Sequence, residues 1–369
     1  MSKAPPIHVT RPTLPPLEEV IPYLEGIWQR GVLTNSGPLH QQLEGALAEY
    51  LGVPFLSLFN NGTIALMTAL KALDLSGEVI TTPYSFVATA NAICWNGLTP
   101  VFADVEASSL NLAPEAIEAA ITPQTCAILP VHCYGVPCNT AAIADIASRH
   151  HLKVVYDAAH AFAVQDHGGS ILRHGDLAVL SLHATKVFNT FEGGAIISHS
   201  QAMKQRIDSL RNFGLSDETS LAGVGANGKM NEFNAAVGLA QLAHVDAALA
   251  RRAEVARRYK EGLGAIEGIS QLSAQAPRHN HGYFPILVDR PFPLSRDQLH
   301  KKLAEHGIFS RRYFYPLISD FSPYRSARGA NALSTARAAS EKILCLPIYP
   351  DLEDRDIERI IACIGEAGR

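Results

Sequence analysis

The sequence predicts an α/β protein in which helices cover both faces of a mostly parallel sheet. From about residue 55 to residue 200, short apolar runs alternate with segments of helical periodicity. The runs are rich in Val, Ile and Leu, which is typical of parallel strands buried on both faces. Strands that alternate with helices favour a sheet built from strand–helix–strand units. A chain of 369 residues, 47% of them hydrophobic, has enough material for this core and a smaller second domain.

Seven apolar runs predict the strands of one sheet. They are Phe55–Phe59, Glu78–Thr82, Pro100–Asp104, Cys126–Val131, Lys153–Tyr156, Leu177–Leu182 and Ala195–Ser198. Helical segments lie between the first five runs, so the chain can cross over between parallel neighbours. They are Thr63–Leu73, Phe86–Trp95, Pro114–Ile121 and Ala141–His150.

The remaining chain predicts a smaller α+β domain. A helical pattern over about Glu232–Leu263 links it to the sheet, and the glycine-rich segment Gly214–Gly228 before it has no periodicity. A loop of that length is usually functional or lies at an interface. The further predictions are strands Tyr283–Val288 and Ile308–Tyr313 and helices Arg296–His306, Ser334–Ile343 and Glu353–Ile364. We therefore expect a large domain over residues 1–245 and a small C-terminal domain over residues 246–369.

Composition argues against several classes of function. The formal net charge is −4, and the arginines occur at most in pairs such as Arg251–Arg252, so nucleic acid is not an expected partner. No apolar stretch is long enough to span a bilayer. The proline-rich start, residues 1–16, lacks the apolar core of a signal peptide. The default expectation is a cytoplasmic protein with neither a membrane nor a nucleic-acid partner.

The cysteines and histidines do not form a recognisable metal motif. Cys133 and Cys138 lie close to His132, but their spacing is not C-x-x-C and no second pair completes four ligands. Most of the six cysteines have apolar neighbours and are interpreted as small core residues. We expect no metal site.

Lys186 has an unusual position for a lysine. It ends the segment Ser181–Lys186, which follows the apolar run Leu177–Leu180 and precedes a second run. A buried lysine loses proton affinity and becomes a nucleophile toward carbonyl groups. The alternative is a lysine whose amine extends out of the loop into water. Position alone does not decide between the two.

Two further motifs follow predicted strands. Asn60–Thr63 lies between a strand and a helix, where N–H groups of the helix start and the Thr63 hydroxyl can bind an anion. Asp157 ends another strand, in the crevice where parallel sheets bind ligands. For both motifs the alternative is an ordinary helix cap. A hydrolase site made of Ser181, His183 and Asp157 lacks the G-x-S-x-G turn.

An anion site, a carboxylate and a lysine at one end of a sheet together satisfy the needs of pyridoxal 5′-phosphate (PLP). This cofactor needs a phosphate cradle, a negative partner for its ring nitrogen and an amine for its aldehyde. Phe86 adds an aromatic face that can stack on the ring. The stretch Gly223–Gly228 matches G-x-G-x-x-G, the pattern of nicotinamide-dependent oxidoreductases. However, no strand precedes it and no βαβ unit surrounds it.

Several ordered motifs carry a family resemblance. They are Asn61–Leu66, Thr81–Thr89, Pro130–Gly135, Asp157–His160 and Lys186 followed by Glu192–Gly194. The chain resembles the DegT/DnrJ/EryC1/StrS family of PLP-dependent sugar aminotransferases, from Thr34–Pro38 to Leu346–Tyr349. The resemblance implies an aspartate aminotransferase-like fold (fold type I) and a homodimer with both active sites at its interface.

The resemblance also implies a role for each candidate site residue. Lys186 forms the imine with the cofactor aldehyde, and Asp157 pairs with the pyridinium nitrogen. Phe86 stacks on the ring, and His160 lies near its polar edge. The residues that hold the phosphate are Gly62, Thr63, Ser181 and, from the neighbouring subunit, Asn227.

The segment Arg311–Pro316 holds the candidate substrate contacts. Arg312 can meet a diphosphate and Tyr313 can touch the sugar. The alternative is a structural strand edge.

The implied reaction transfers the amino group of L-glutamate to a nucleotide-linked keto-sugar. The chain keeps Lys186 where some family members carry histidine and act as dehydratases, which favours transamination. Val187–Thr190 replaces the Lys-Asn pair of most members and resembles a subgroup that acts on dTDP-4-keto-6-deoxyhexoses. We expect amination at C4 of dTDP-4-keto-6-deoxy-D-glucose, with C3 as the alternative within the family. The alternatives from other classes are an NAD(P)-dependent oxidoreductase and a binding protein that keeps the fold without catalysis.

Overall fold

A seven-stranded sheet forms the centre of the molecule. The computed structural model describes residues 5–272 and 276–368. The strands in these residues are β1 (Phe55–Phe59), β2 (Glu78–Thr81), β3 (Thr99–Phe102), β4 (Thr125–Leu129), β5 (Lys153–Asp157), β6 (Gln165–Asp166), β7 (Gly169–Ser170), β8 (Leu177–Ser181), β9 (Gly194–Ser198), β10 (Ile269–Gln271), β11 (Phe284–Val288) and β12 (Ile343–Leu346). The helices are α1 (Leu17–Arg30), α2 (Pro38–Leu51), α3 (Gly62–Ala72), α4 (Ala88–Trp95), α5 (Pro114–Ala120), α6 (Thr140–His150), α7 (Gln201–Arg211), α8 (Glu232–Leu242), α9 (Val245–Leu263), α10 (Arg296–Glu305), α11 (Ser334–Lys342) and α12 (Asp354–Ala367). Short 3₁₀ helices lie at Cys133–Gly135, Ile171–Arg173, Ile318–Asp320 and Ser322–Tyr324. Across the described ranges, none of the helices is both long and apolar enough to cross a membrane.

The strand order of the central sheet is β1-β9-β8-β5-β4-β2-β3. Six of the strands run in one direction, and β9 alone runs in the opposite direction. Successive residues of β2, Val79 and Ile80, are buried in two different parts of the core, because side chains of a strand alternate between its faces. Burial on both faces explains the continuous apolar runs of the sequence. The prediction of a mostly parallel, seven-stranded sheet is therefore confirmed.

The carboxyl ends of the parallel strands carry the polar residues singled out by the sequence. Asp157 is the last residue of β5 and Ser181 the last residue of β8, while Gly62 begins α3 shortly after β1. The Asn61 side chain caps α3 by accepting a hydrogen bond from the Ile64 N–H at 2.8 Å. Parallel strands place such ends at one edge of the sheet, where open α/β sheets bind ligands.

The C-terminal part has its own core around an antiparallel sheet of order β10-β11-β12. Helices α9, α10 and α12 contribute Tyr259, Leu299 and Ile360, which are fully buried. Ile7 belongs to this core as well, because the start of the chain forms a parallel bridge with Ile308. The large domain here denotes the part around the seven-stranded sheet, and the small domain denotes the C-terminal part around β10-β11-β12. The exact division into residues 1–245 and 246–369 stays a prediction.

The predicted strand Ile308–Tyr313 is wrong. The segment forms only isolated bridges, from Ile308 to Ile7 on one side and from Arg311 to Cys345 of β12 on the other. Because these residues pair with two different partners, no continuous ladder forms.

The predicted long helix Glu232–Leu263 is also wrong, because it is two helices, α8 and α9. Between them His244 departs from regular helical geometry, with φ −105° and ψ −3°. Its imidazole Nε2 pairs with the Glu19 carboxylate of α1 at 2.6 Å. Apolar residues continue through the break, so periodicity alone does not reveal it. Helices α1, α2 and α7 and strands β6, β7, β10 and β12 have no counterpart among the predictions.

Two buried tyrosines of the large domain bind the main chain of the small domain. Tyr84 follows β2 and Tyr134 follows β4, and their hydroxyl oxygens lie 2.8 Å apart. The Tyr134 hydroxyl donates to the carbonyl oxygen of Tyr313, and the Tyr84 hydroxyl, 3.2 Å from the same oxygen, can donate either to it or to the Tyr134 hydroxyl oxygen. An enclosed carbonyl that loses its donors costs free energy. These bonds therefore fix the segment around Tyr313 against the large domain.

We expect the double substitution Tyr84→Phe and Tyr134→Phe to lower the free energy of unfolding by about 1–3 kcal/mol, because the Tyr313 carbonyl stays enclosed without a donor. Equilibrium unfolding in urea measures the loss. Tyr50→Phe is the control, since the Tyr50 hydroxyl bonds Asp246 at the surface and its removal should change stability by about 0.5 kcal/mol or less. Equal losses in the two proteins would contradict the assignment.

Candidate active site

A cavity of about 310 Å³, the first cavity, lies at the carboxyl ends of β5 and β8 and beside the start of α3. The small domain closes it with Tyr283, Tyr313 and Phe314. Eight of the ten predicted site residues line it, namely Gly62, Thr63, Phe86, Asp157, His160, Ser181, Lys186 and Tyr313. The structure therefore brings most of the predicted site together.

The Lys186 side chain is half-buried, and its amine lies between the two domains. Its Nζ donates a hydrogen bond to the Tyr283 hydroxyl oxygen at 3.1 Å. Burial lowers the pKa of Lys186 from 10.5 to about 8, although the nearby charge of Asp157 raises it. A larger fraction of this amine is deprotonated at neutral pH than in an exposed lysine, so it is better prepared to attack a carbonyl group.

Asp157 is the buried carboxylate of the site. Its Oδ2 accepts a hydrogen bond from the Thr89 hydroxyl at 2.8 Å, and its Oδ1 accepts one from the Ala159 N–H at 3.1 Å. Burial raises the pKa of Asp157, and these two bonds and the charge of Lys186 oppose the rise. A buried carboxylate gains most from a cationic partner. The protonated ring nitrogen of PLP is such a partner.

His160 is buried and neutral. Its Nδ1 accepts a hydrogen bond from the Tyr134 N–H at 3.1 Å, which places the ring proton on Nε2. Burial, and then the charge of Lys186, lower the pKa of His160 well below its ordinary value. Its ring is parallel to that of Phe314, with centroids 6.0 Å apart. The cavity therefore has a flat, uncharged wall at this position.

The start of α3 has the features of an anion site. The first N–H groups of a helix have no acceptor within the helix, and Gly62 and Thr63 border the cavity. A Cβ atom at Gly62 would lie 3.1 Å from the Cβ of Ser181, and one at Gly194 would lie 2.6 Å from the carbonyl carbon of Asn61. Glycine at both positions lets β8 and β9 approach this turn closely. A phosphate group fits the site, because a helix N-terminus carries partial positive charge.

A second cavity, of about 690 Å³, adjoins the first. Phe86, Ser85 and Tyr313 line both cavities. The Phe86 side chain is 61% exposed and is therefore available for stacking on a planar ligand. The two cavities together can hold a cofactor and a larger substrate side by side.

Arg312 and Asn227 lie outside the first cavity. Arg312 lines the second cavity, donates to Asp297 at 2.9 Å and lies over the Tyr315 ring. Asn227 is exposed on the loop between α7 and α8, where its carbonyl oxygen accepts a hydrogen bond from the Asn60 side chain at 3.3 Å. Because Asn227 lines neither cavity of its own chain, its role stays a prediction that requires a second subunit.

The G-x-G-x-x-G stretch Gly223–Gly228 has no dinucleotide-binding context. The regular element before it is helix α7, whereas the motif needs a strand directly before it within a βαβ unit. The match is accidental, and it gives the oxidoreductase alternative no site.

Three further residues belong to the site but were not predicted, namely Ser85, Thr89 and Tyr283. Ser85 Oγ lies 2.9 Å from Thr89 Oγ1, and since Thr89 donates its proton to Asp157, Ser85 must donate to Thr89. Both residues belong to the family motif Thr81–Thr89, and this motif was the sequence feature that could have identified them. Tyr283 had no signal, because only the packing of the two domains brings it to the Lys186 amine.

Comparisons with known proteins agree with this geometry. The profile of the DegT/DnrJ/EryC1/StrS aminotransferase family matches residues 17–365. The chain is 56% identical to a dTDP-4-amino-4,6-dideoxy-D-glucose transaminase of Shigella dysenteriae, over 98% of this chain and 99% of the relative. It is 50% identical to a transaminase of the same name from Escherichia coli, over 96% of each chain.

Solved structures agree as well. A crystal structure of DesI in the presence of its TDP-sugar product is similar with a TM-score of 0.95 and 32% identity, over 99% of this chain and 94% of the other. The chain therefore belongs to the DegT/DnrJ/EryC1/StrS aminotransferase family and is a PLP-dependent transaminase of fold type I.

Proposed function

We propose that this transaminase transfers the amino group of L-glutamate to C4 of dTDP-4-keto-6-deoxy-D-glucose and forms dTDP-4-amino-4,6-dideoxy-D-glucose. The observation that carries the proposal is the enclosed Lys186 amine in a cavity beside a second, larger one. The names of the relatives at 56% and 50% identity support amination at C4 rather than C3.

The first cavity fits PLP. The proposed contacts are Gly62, Thr63 and Ser181 for the phosphate, Asp157 for the ring nitrogen, Phe86 for the ring face and His160 for the polar edge of the ring. When bound, PLP supplies an electron sink for the carbanion formed beside the amino group. The Asp157 carboxylate keeps the ring nitrogen protonated, because it is buried and has no other full cation within hydrogen-bond distance in the described residues.

Lys186 is the proposed general base. Its amine, with a pKa of about 8, can take the proton from the carbon that bears the amino group of glutamate. The same amine can deliver a proton to the sugar carbon in the second half of the reaction. Proton transfer in both directions is efficient because this pKa lies near the working pH.

The second cavity suits the nucleotide part of the substrate. Asp297 pairs with both Arg296 and Arg312, at 2.8 Å and 2.9 Å, so this group of three keeps a net positive charge. Arg311 also lines the cavity and takes part in none of the ion pairs of the described residues. A diphosphate binds favourably beside such guanidinium groups. The exposed Phe309 ring in the same wall can stack on a base.

The sugar would lie where the two cavities meet. Tyr313 lines both of them, so it is the proposed sugar contact, and the keto carbon would then face Lys186. Arg312 remains a proposed diphosphate contact, and the structure adds Arg311 as a second candidate.

A homodimer is part of the proposal. Trp28 of α1 is 77% exposed, and Leu221 and Val224 of the loop before α8 are 68% and 81% exposed. A contiguous patch of exposed apolar side chains marks a contact surface, and Leu221 and Val224 lie near each other on one loop. Asn227 lies on the same loop, so a partner that covers the loop would receive its side chain. The cytoplasmic location expected from the sequence stays a prediction.

The substrate proposal is tested by NMR of the product. With L-glutamate and dTDP-4-keto-6-deoxy-D-glucose we expect an amino group at C4, and no product with the isomeric 3-keto sugar. Lys186→Ala removes the base and should lower turnover by about a hundred- to ten-thousandfold. A product aminated at C3, or full turnover by Lys186→Ala, would contradict the proposal.

The phosphate site is tested by Gly194→Ala. The added Cβ would lie 2.6 Å from the Asn61 carbonyl and 2.8 Å from the Gly62 nitrogen, so the turn must move away from β9. We expect the affinity for PLP, measured by absorbance titration, to fall at least about tenfold. Gly45→Ala in α2 is the matched control, because a Cβ there meets nothing within 4 Å. Equal affinities in the two variants would exclude this phosphate site.

Subunit mixing tests the role of Asn227. Lys186→Ala and Asn227→Ala chains with different tags can be co-expressed, and the mixed dimer isolated on both tags. If Asn227 acts in the neighbouring subunit, the mixed dimer has one intact site and about half of the wild-type activity. If Asn227 acts in its own chain, the mixed dimer has no intact site and stays inactive. A monomeric protein would refute the dimer itself.

A further inference from the structure

We infer that Tyr283 is a positioning residue that holds the Lys186 amine whenever this amine is not bound to the cofactor. The inference rests on the proposed role of Lys186 as the base. Nζ of Lys186 donates to the Tyr283 hydroxyl oxygen at 3.1 Å. Tyr283 directly precedes β11 of the small domain, whereas Lys186 follows β8 of the large domain. The hydrogen bond therefore joins the two domains at the reacting group.

The surroundings of Tyr283 fix its ring. Its centroid lies 4.5 Å from that of His160, 5.7 Å from that of Tyr134 and 5.9 Å from that of Tyr313. Burial raises the pKa of Tyr283 well above its ordinary value, so the phenol keeps its proton and its oxygen is a neutral acceptor. A ring held on three sides keeps this acceptor at one point of the first cavity.

A fixed acceptor matters because a lysine side chain is long and flexible. Proton transfer requires Nζ within hydrogen-bond reach of the substrate carbon, and a misplaced group loses much of its rate. The amine that donates one N–H to Tyr283 still has its lone pair free to take the substrate proton. Because the Tyr283 phenol keeps its own proton, Tyr283 orients the amine and does not itself act as the base.

The charges around the Lys186 amine determine which effects a substitution of Tyr283 can have on the pKa of this amine. The titratable groups that act on it or contact it are Asp157, His160, Tyr313, Cys133 and Tyr283. His183 and Glu192 line the same cavity. Burial raises the pKa values of Cys133 and Tyr313 and lowers that of His160, so these groups are neutral near pH 7. Since the Tyr283 hydroxyl is neutral, its removal changes hydrogen bonding and leaves the charges around the amine in place.

Tyr283→Phe keeps the ring and removes the acceptor. In cofactor-free protein, the rate at which acetic anhydride labels Lys186, followed against pH by mass spectrometry, reports the pKa of this amine. Loss of an acceptor that favours the ammonium form should lower this pKa by about one. In the PLP-loaded enzyme, the single-turnover rate with L-glutamate should fall about 10- to 100-fold, with KM for glutamate changed by about twofold or less.

Tyr259→Phe is the matched control. It removes a buried hydroxyl that donates to the Pro347 carbonyl at 2.9 Å in the core of the small domain, and it should change neither measurement. Unchanged labelling and unchanged half-reaction in Tyr283→Phe would overturn the inference. A change in only one of the two would also overturn it, because a slower half-reaction with normal labelling indicates a purely structural role. Neither measurement uses the sugar, so both remain valid if the proposed substrate is wrong.

Discussion

The enclosure of the Lys186 amine between two domains is the constraint on which this site depends. Removal from water lowers its pKa to about 8, and the free energy of burying a charge must be offset by the rest of the fold. The central sheet contributes Asp157 from the end of β5, and the small domain contributes Tyr283 before β11. Since the walls of the cavity come from both domains, neither domain alone keeps the amine from water. The hydrogen bonds of Tyr84 and Tyr134 to the small domain therefore also serve the chemistry.

The pKa values of Lys186 and Asp157 move in opposite directions for one reason. Burial makes ionisation unfavourable for each, so the pKa of the lysine falls and that of the carboxyl rises, while their mutual attraction opposes both shifts. A cation beside Asp157 would lower the pKa of this carboxyl again. In the proposed arrangement this cation would be the protonated ring nitrogen of PLP, and the Asp157 carboxylate would keep the proton on that nitrogen, which makes the ring an acceptor of electrons.

The sequence contains most of the sheet and most of the site because both depend on local patterns. Strands buried on both faces must be apolar throughout, and this makes β1 to β5 recognisable one by one. Asp157 and Ser181 lie at the carboxyl ends of such strands, so their placement at one edge of the sheet could be predicted. Tyr283 could not, because its contact with Lys186 depends on how two domains pack. The break at His244 was hidden for a related reason, since apolar residues continue from α8 into α9.

The segment after Lys186, which suggested the subgroup of the family, lies outside both cavities. Val187–Thr190 is buried throughout, and Phe188 stacks on Phe162 with centroids 4.7 Å apart. None of these four residues lines either cavity, so the departure from the Lys-Asn pair cannot recognise a sugar by direct contact. It can act only by fixing the loop between β8 and β9, and with it the direction of the Lys186 side chain. If the sugar lies where the two cavities meet, as proposed, the choice between C4 and C3 depends on which carbon the residues lining both cavities, such as Tyr313, hold toward that amine.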